Sequence, residues 1–276
     1  MPSRWQRPVT NKEPGDVWMM GVLNCTPDSF SDGGSFFNPD AAIAHGLDMR
    51  EQGAAIIDVG GESTRPGAAP VSQADELARV IPVISELSRQ GCTVSVDSMK
   101  AAVMRQAVDA GASIINDVSA LTHDADAMQV AAESGADICL MHMQGNPDTM
   151  QQRPEYGDVV QAVSDFFSRR IDACLQAGVQ RSAIILDPGI GFGKRLQHNL
   201  ALIRAVGRFK IRFDMPLLLG LSRKSFLGQL TGAPVVDREM ETAVAGAMAI
   251  AYGADMLRVH DVAQQRRAIR VASALS

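Results

Sequence analysis

Short apolar runs of strand-like composition alternate with longer segments of helical periodicity along the whole chain. This alternation predicts a parallel sheet whose strands are joined by crossover helices. We interpret as strands Trp18–Leu23, Ile56–Val59, Thr93–Val96, Ile114–Asn116, Ile138–Met141, Ile184–Leu186, Leu217–Leu219 and Met256–Val259. Eight such runs favour a closed (β/α)8 TIM barrel of the α/β class. A doubly wound open sheet is the alternative, and it would require the strand order to reverse.

The segments between these runs repeat apolar residues at three- and four-residue steps, as amphipathic helices do. Examples are Asp40–Gln52, Gln73–Gln90, Lys100–Ala110 and Asp158–Ala177. Each is followed directly by a glycine, which can take the left-handed conformation that ends a helix. Since the alternation has no domain-sized break, we expect a single barrel domain over residues 17–276, preceded by an N-terminal tail over residues 1–16.

The composition excludes several classes of function. The chain carries 26 Lys and Arg against 31 Asp and Glu, a net charge of −5, and it has no basic run that could follow a nucleic acid backbone. No stretch approaches the roughly 18 apolar residues of a membrane span, and the N-terminus lacks the apolar core of a secretion signal. The 4 cysteines show no C-x-x-C spacing, which argues against a zinc site or a disulfide framework. We expect a cytoplasmic protein with reduced thiols.

Polar or ionisable residues stand at the ends of most of the predicted strands. They are Asn24, Asp58, Asp97, Asn116, His142, Asp187 and His260. In a barrel these ends converge on one face, where the loops after the strands build the active site. A single Asp at such a position more often starts a turn or caps a helix. Seven of these residues together indicate a functional site.

Two segments add cationic side chains. Arg258 and His260 lie two residues apart on the last strand, so their side chains face the same side. For Arg258 we favour a diphosphate or carboxylate ligand over an ion pair with a neighbouring carboxylate, because Arg binds such groups bidentately. After the seventh strand, a helix predicted to start at Ser222 would place Arg223 and Lys224 in its first turn. Cations are unfavourable there unless a ligand compensates them.

The glycine-rich segment Pro188–Arg195 only superficially resembles a nucleotide-binding loop. It lacks the leading glycine and the final Ser or Thr of a P-loop, and Lys194 replaces the last glycine of the dinucleotide fingerprint. We interpret it as a loop that closes over a flat ligand. The sequence contains no G-x-S-x-G elbow and no H-E-x-x-H motif, and its 5 histidines are too scattered to predict a zinc site.

The stretch Gly21–Gly34, GVLNCTPDSFSDGG, closely resembles the first signature of dihydropteroate synthases. A second signature follows at Ile57–Gly67, IDVGGESTRPG. Later family segments follow in order at Val96–Asp97, Ile115–Asp117, Met141–Pro147, Leu186–Lys194, Ser222–Ser225 and Arg258–Asp261. The resemblance implies a barrel transferase of folate biosynthesis. Such an enzyme condenses 7,8-dihydropterin-6-ylmethyl diphosphate with p-aminobenzoate and releases diphosphate before the arylamine attacks.

By this resemblance, the pterin pocket would take side chains and backbone from several strand ends. Its residues would be Asp97, Asn116, Met141, Asp187, Phe192, Gly220 and Lys224. Carboxylate and amide oxygens would accept the donors of the aminopyrimidine edge, and Lys224 would reach the ring carbonyl. Met141 and Phe192 would enclose the ring.

The resemblance also implies two anion sites. The diphosphate would contact Asn24, Thr64, Arg258 and His260, with Mg²⁺ held by Asn24 and with Asp58 as support. The p-aminobenzoate pocket would comprise Thr64, Arg65, Pro66, Phe192, Lys224 and Ser225. The residues implied to be catalytic are Asn24, Asp58, Asp97, Lys224, Arg258 and His260. Sulfonamides, which mimic p-aminobenzoate, inhibit this family.

Two other functions are compatible with a pterin-binding barrel. A pterin-dependent methyltransferase needs no diphosphate site, and a non-catalytic paralogue would retain the pterin carboxylates while losing the anion-binding residues. The chain retains both sets, which favours the synthase. The expected partners are the small-molecule substrates and a second copy of the chain, with no nucleic acid and no membrane. The small-residue run Thr242–Ala251 would let a partner helix approach closely, unless it packs against the barrel itself.

Overall fold

The computed structural model describes residues 4–5, 17–26, 38–64, 67–147 and 149–275. Within these ranges the strands are β1 (Trp18–Asn24), β2 (Ile56–Gly60), β3 (Val94–Asp97), β4 (Ile114–Asp117), β5 (Asp137–Met141), β6 (Ile184–Asp187), β7 (Leu218–Gly220) and β8 (Met256–Val259). Every predicted strand is present, and each boundary lies within one residue of its prediction. Short apolar runs therefore located the sheet well.

The strands form one parallel sheet in the order β6-β5-β4-β3-β2-β1-β8-β7. A parallel bridge between Leu186 and Leu217 joins β6 to the segment before β7 and closes the ring. The backbone N–H of Leu186 donates to the carbonyl oxygen of Pro216 at 2.9 Å at the same seam. Because the strand order follows the sequence without reversal, the (β/α)8 barrel is confirmed and the doubly wound sheet is excluded.

Helices surround the barrel. In the described ranges they are α1 (Pro39–Gln52), α2 (Gln73–Arg89), α3 (Ala101–Asp109), α4 (Ala127–Ser134), α5 (Val159–Ala177), α6 (Leu196–Arg204), α7 (Val206–Phe213), α8 (Ser225–Thr231), α9 (Glu239–Ala251) and α10 (Val262–Ala274). Short 3-10 turns cover Arg181–Ala183 and Val235–Asp237. None of the helices described here is long and apolar enough to cross a membrane.

Capping residues set the helix boundaries. The side-chain oxygen of Asn38 accepts the backbone N–H of Asp40 at 3.0 Å where α1 begins, and Asp158 caps α5 in the same way. At the opposite ends, Gly53 and Gly178 have left-handed φ angles of 105° and 101°. Glycine adopts this conformation without a Cβ clash, as predicted for both positions.

An apolar layer fills the N-terminal half of the barrel interior. It consists of Met20, Ile56, Ile114, Cys139, Ile185, Leu218 and Met256, all buried. Trp5 packs against this layer from below with 5% exposure, and its ring meets that of Trp18 edge-on at 5.2 Å. Its indole N–H donates to a carboxylate oxygen of Asp137 at 2.6 Å. Part of the predicted tail therefore contacts the barrel, and the residues above the layer stand on a packed base.

Candidate active site

A polar layer lies directly above the apolar layer, at the C-terminal ends of the strands. Residues that are register partners on neighbouring parallel strands point to the same face of the sheet. Gly60 of β2 is the partner of Asp97 of β3, and Asp97 is the partner of Asn116 of β4. The residues that face inward near this level include Asp58, Asp97, Asn116, Met141, Asp187, Gly220 and Arg258. The barrel thus brings these predicted site residues together around its mouth.

Arg258 joins two carboxylates of this layer. Its Nε donates to Oδ2 of Asp58 at 2.6 Å, and its Nη2 donates to Oδ2 of Asp97 at 2.7 Å. The amide of Asn116 donates to the same Asp58 oxygen at 3.1 Å. Although burial opposes the charge, the two carboxylates raise the pKa of Arg258. Its closest anionic partners are therefore carboxylates of the chain, which corrects our preference for a ligand anion alone. The reach of the long side chain across neighbouring strands explains the pairing.

Opposing effects act on the pKa of Asp97. Loss of hydration raises the pKa of this carboxyl to about 7, even though the Arg258 guanidinium lowers it. The nearby carboxylates of Asp58 and Asp117 add to the rise, because like charges disfavour ionisation. Asp97 is therefore poised to change its charge near neutral pH, at the centre of the candidate site.

Asp187 ends β6 and begins the glycine-rich loop. The carboxyl is 5% exposed, and its Oδ1 accepts the backbone N–H of Gly189 at 2.7 Å. Burial raises the pKa of Asp187 against the effect of that hydrogen bond. Further along, the backbone N–H of Gly191 donates to the side chain of Asn199 at 2.8 Å. The loop is thus fastened both to the strand that precedes it and to α6, which follows it.

Phe192 and Lys224 bring the glycine-rich loop and the loop after β7 into contact. The Lys224 ammonium lies 4.0 Å from the centroid of the Phe192 ring, which is the geometry of a cation–π interaction. A Cβ at Gly191 would lie 3.1 Å from Cδ of Lys224, so glycine leaves room for this approach. Sequence reasoning assigned both side chains to both substrate pockets, and the structure places them side by side.

The predicted anion-binding residues lie around the same mouth. Asn24 ends β1 with its register partner Gly60 and is half-buried. His260 follows β8, and its Nδ1 is 2.9 Å from the hydroxyl of Ser222. Thr64 is half-buried in the connection after β2. Arg65 and Pro66 lie outside the described residues, and their roles remain predictions.

His142 does not belong to the mouth, contrary to its grouping with the strand-end residues. Side chains alternate along a strand, so the inward position of Met141 turns His142 outward. Its ring meets Phe166 of α5 edge-on at 4.9 Å, and its Nδ1 lies 3.0 Å from Nζ of Lys194. Burial, with a contribution from Lys194, lowers the pKa of His142 to about 3.

The helix predicted to start at Ser222 begins three residues later, at Ser225. Arg223 has a left-handed φ of 59°, and its backbone N–H donates to the hydroxyl of Thr242 in α9 at 3.1 Å. Its guanidinium pairs with Glu239 at 2.9 Å. Arg223 is thus compensated by α9, and the prediction that both cations occupy a first helical turn was wrong.

Comparison with known proteins agrees with this geometry. The family model described as pterin binding enzyme matches residues 20–260. The dihydropteroate synthase of Escherichia coli K12 is 47% identical over 257 residues, which are 93% of this chain and 90% of that protein. The chain belongs to the dihydropteroate synthase family. It is accordingly an enzyme, a transferase of the pterin-methyl group.

Solved structures of dihydropteroate synthases share the fold. A Yersinia pestis enzyme in complex with a sulfonamide drug superposes with a TM-score of 0.89 at 43% identity, covering 95% of both chains. A Xanthomonas albilineans enzyme with 4-aminobenzoic acid gives a TM-score of 0.88 at 44% identity, covering 95% of this chain and 94% of that one. These findings favour the synthase over the methyltransferase and the non-catalytic paralogue.

One residue of this dihydropteroate synthase fold escaped sequence reasoning. In the sequence Lys194 interrupts a nucleotide-binding fingerprint and ends the family segment Leu186–Lys194, with no role assigned to it. In the structure the residue is 4% exposed, and its side chain is hydrogen-bonded beneath the glycine-rich loop. A sequence signal did exist, because a lysine that closes a run of glycines directly after a buried strand has little room to reach solvent. The pattern could not say which groups it would meet.

Proposed function

We propose that the chain condenses 7,8-dihydropterin-6-ylmethyl diphosphate with p-aminobenzoate to give 7,8-dihydropteroate and diphosphate. The observation that carries this proposal is the inward layer of acidic and amide groups around Arg258, set beside the Phe192–Lys224 pair. Relatives support it, since one solved synthase contains 4-aminobenzoic acid and another contains 7,8-dihydropteroate.

The pterin would lie in the polar layer. Asp97, Asn116 and Asp187 offer oxygen acceptors for the donors of the aminopyrimidine edge. Asn116 and Asp187 are buried and Asp97 is partly buried, so hydrogen bonds made there are stronger than in water. Lys224 would donate to the ring carbonyl, and Met141 and Phe192 would cover the ring faces. Gly220 has no side chain, and the inward face of β7 is left open at that position. A flat, donor-rich heterocycle matches this arrangement.

This assignment makes pterin affinity depend on pH through Asp97. The carboxyl has to be ionised to accept two donors, and burial raises its pKa to about 7. As the pH falls below 7, the protonated fraction grows and the acceptor is lost, so affinity should fall by up to about tenfold per pH unit. Calorimetric titration of a dihydropterin between pH 5 and pH 8 measures this. Asp97→Asn, which cannot titrate, should show a much flatter acid limb.

Mg²⁺ fits the proposed diphosphate site by the chemistry of its donors. Asn24 supplies an amide oxygen at a strand end, and the described residues contain no cluster of three or more His, Cys, Asp or Glu that could hold a metal alone. Mg²⁺ commonly takes one or two protein oxygens, substrate phosphates and water. Asn24 would hold it together with the diphosphate, and the bound ion would neutralise part of the phosphate charge. Thr64, Arg258 and His260 would contact the remaining oxygens.

The p-aminobenzoate pocket would lie on the outer side of the pterin. Phe192 and Lys224, which lie in contact, would form its inner wall, and Ser225 begins α8 directly after Lys224. Thr64 would contribute from the connection after β2, with Arg65 and Pro66 completing the pocket. An aromatic ring against Phe192 and a carboxylate near Lys224 match the two ends of this substrate.

The proposed reaction breaks the bond between the pterin methylene carbon and the diphosphate oxygen, and diphosphate leaves with the electron pair. Arg258, His260 and Asn24 would stabilise the charge that develops on the leaving group. The neutral amine of p-aminobenzoate then forms the carbon–nitrogen bond and releases one proton. The chain would contribute mainly charge stabilisation and alignment of the two substrates.

A turnover assay tests this function directly. The protein with Mg²⁺, the dihydropterin diphosphate and p-aminobenzoate should release diphosphate and form 7,8-dihydropteroate in equal amounts. Omitting p-aminobenzoate should prevent formation of the product. Absence of 7,8-dihydropteroate from a correctly folded preparation, with both substrates and Mg²⁺ present, would refute the proposed function.

We further propose that the enzyme is a homodimer formed through α9. The small residues predicted to admit a partner instead pack inside the subunit, where Gly246 faces Gln265 of α10. The outer face of α9 exposes Met240, Val244 and Met248 by 73%, 59% and 45%, one helical turn apart. A second copy suits this stripe, because a two-fold axis would place it against itself.

Val244→Glu should convert the dimer into a monomer, since a charge at the centre of an apolar interface has no partner there. Sedimentation velocity over a range of protein concentrations measures the change. Leu175→Glu, at a position of α5 that is 39% exposed, is the matched control and should leave the dimer intact. If the parent protein sediments as a monomer at every concentration, the dimer proposal is wrong.

We also propose a cytoplasmic location. The cysteines Cys25, Cys92, Cys139 and Cys174 are all free thiols, and Cys25, Cys139 and Cys174 are buried. Free thiols are usual in a reducing compartment. Thiol titration of the freshly isolated, denatured protein should find every cysteine reduced, and a disulfide would argue against this location.

A further inference from the structure

Lys194 is a buried cation that the proposed reaction does not use. Its side chain is 4% exposed. Nζ donates to the carbonyl oxygen of His142 at 3.1 Å and to that of Phe192 at 2.8 Å, and it lies 3.0 Å from Nδ1 of His142. A protonated lysine has three N–H donors. These acceptors match all three, so the hydrogen-bond geometry suits the ammonium form although burial opposes its charge.

A protonated Lys194 sets the tautomer of His142. Nδ1 can accept a hydrogen bond from Lys194 only if the imidazole is neutral and carries its proton on Nε2. The lowering of the His142 pKa to about 3, by burial and by Lys194, agrees with a neutral ring. His142 therefore serves as an acceptor for the lysine.

Lys194 connects the end of β5 to the loop that carries Phe192. The loop has no space for other side chains at its contact points, because a Cβ at Gly189 would overlap the carbonyl oxygen of His142. The hydroxyl of Tyr156 holds the same loop by donating to the carbonyl oxygen of Gly193 at 2.8 Å. The Phe192 ring, whose backbone is fixed in this way, in turn receives Lys224 on its face.

We propose that Lys194, in its ammonium form, is a positioning residue whose hydrogen bonds fix the glycine-rich loop under the Phe192–Lys224 pair. This inference rests on the pterin pocket proposed above. The contribution of the charge can be separated from loop attachment in general, since Tyr156 holds the same loop through a neutral hydrogen bond.

The charges around Lys194 indicate when its effect should be lost. Burial lowers the pKa of Lys194 to about 7; Asp187 of β6 opposes this shift and Lys224, after β7, adds to it. His142 is neutral, and the other titratable groups near this site include Arg169 of α5, Arg195 and His198 at the start of α6, and Tyr156. As the pH rises above 7, Lys194 loses its proton, and with it one donor and its attraction for the Asp187 carboxylate.

Lys194→Met tests the proposal, because methionine has a similar length but neither donors nor charge. We expect it to weaken binding of a dihydropterin lacking diphosphate about tenfold at pH 6, in line with losing hydrogen bonds from a charged donor. The ratio of parent to variant affinity should shrink to about threefold or less at pH 9, since the parent is then neutral at this position. The acid limb of Asp97 cancels in this ratio.

The controls separate charge from packing. Tyr156→Phe removes only a neutral hydrogen bond to the loop, so its affinity ratio to the parent should not change with pH. Lys194→Gln, which is shorter and neutral, is measured in the same way in case the methionine variant does not fold. An affinity ratio for the Lys194 variants that stays constant from pH 6 to pH 9 overturns the charge role. Retained affinity in Asp187→Asn would instead refute the underlying pterin pocket.

Discussion

Replacing Arg258 by alanine is expected to abolish measurable turnover and to destabilise the fold. The guanidinium is 23% exposed and compensates Asp58, which is fully buried, and Asp97 at the same time. Removing one partner of a buried ion pair leaves an uncompensated charge and costs about 3–5 kcal/mol. The diphosphate would also lose its proposed cationic contact. Turnover and denaturant unfolding of the same preparations measure the two effects.

Arg258→Lys is the matched control for this variant. Lysine keeps the positive charge but lacks the planar guanidinium whose nitrogens donate to both carboxylates. Stability should therefore fall less than in the alanine variant, while turnover should stay low. Ligand affinities then distinguish the diphosphate contact of Arg258 from its ion pairs with Asp58 and Asp97. The substrate with diphosphate should lose at least about tenfold more affinity than the alcohol that lacks it, which corresponds to about 1.4 kcal/mol. Parallel losses for both ligands would mean that Arg258 serves only its carboxylate partners.

Asp187→Asn is expected to reduce pterin affinity by about tenfold to a hundredfold with little change in the fold. The substitution keeps the size of the side chain but replaces a charged acceptor by an amide that presents a donor on one side. Hydrogen bonds to a charged group contribute about 1.5–3 kcal/mol, which gives the expected range. Calorimetric titration with a dihydropterin, alongside circular dichroism of the free protein, measures both quantities.

Asp137→Asn provides a matched carboxylate at the other end of the barrel. Asp137 begins β5 and pairs with Arg4 and Trp5, far from the strand ends that form the mouth. Its replacement should leave pterin affinity unchanged. An Asp187→Asn protein that binds pterin within about threefold of the parent, less than roughly 0.7 kcal/mol, would remove Asp187 from the pocket.

The fold and most of the polar layer were predictable because both follow from short-range patterns. Apolar runs located the strands, and the polar or ionisable residues at most of their ends located the mouth. Because side chains alternate along a strand, Met141 points into the barrel, whereas the next residue, His142, points outward and contacts Phe166. The position of a residue at a strand end does not by itself say whether its side chain points inward or outward. The rule of alternation, applied to β5, would have made this distinction.

Long-range pairings lay beyond sequence reasoning. Arg258 is separated from Asp58 by 200 residues and from Asp97 by 161, and no local pattern states which carboxylate a long side chain will reach. Lys194 shows the same limit, because its acceptors include a residue 52 positions away. Arg223 adds a third case, in which α9 supplies both the hydroxyl and the carboxylate that hold it. Such contacts depend on how the elements pack.

The position of β8 has a consequence for how the enzyme is made. This strand pairs with β1, the first of the sheet, and with β7, and it carries Arg258. A nascent chain leaves the ribosome with its N-terminal strands first, so the ring stays open at two edges until residue 259 emerges. Chains stopped before β8 should be inactive however well the rest has folded, and their unpaired edges favour aggregation. Assembly of the mouth and closure of the ring therefore depend on the same late strand.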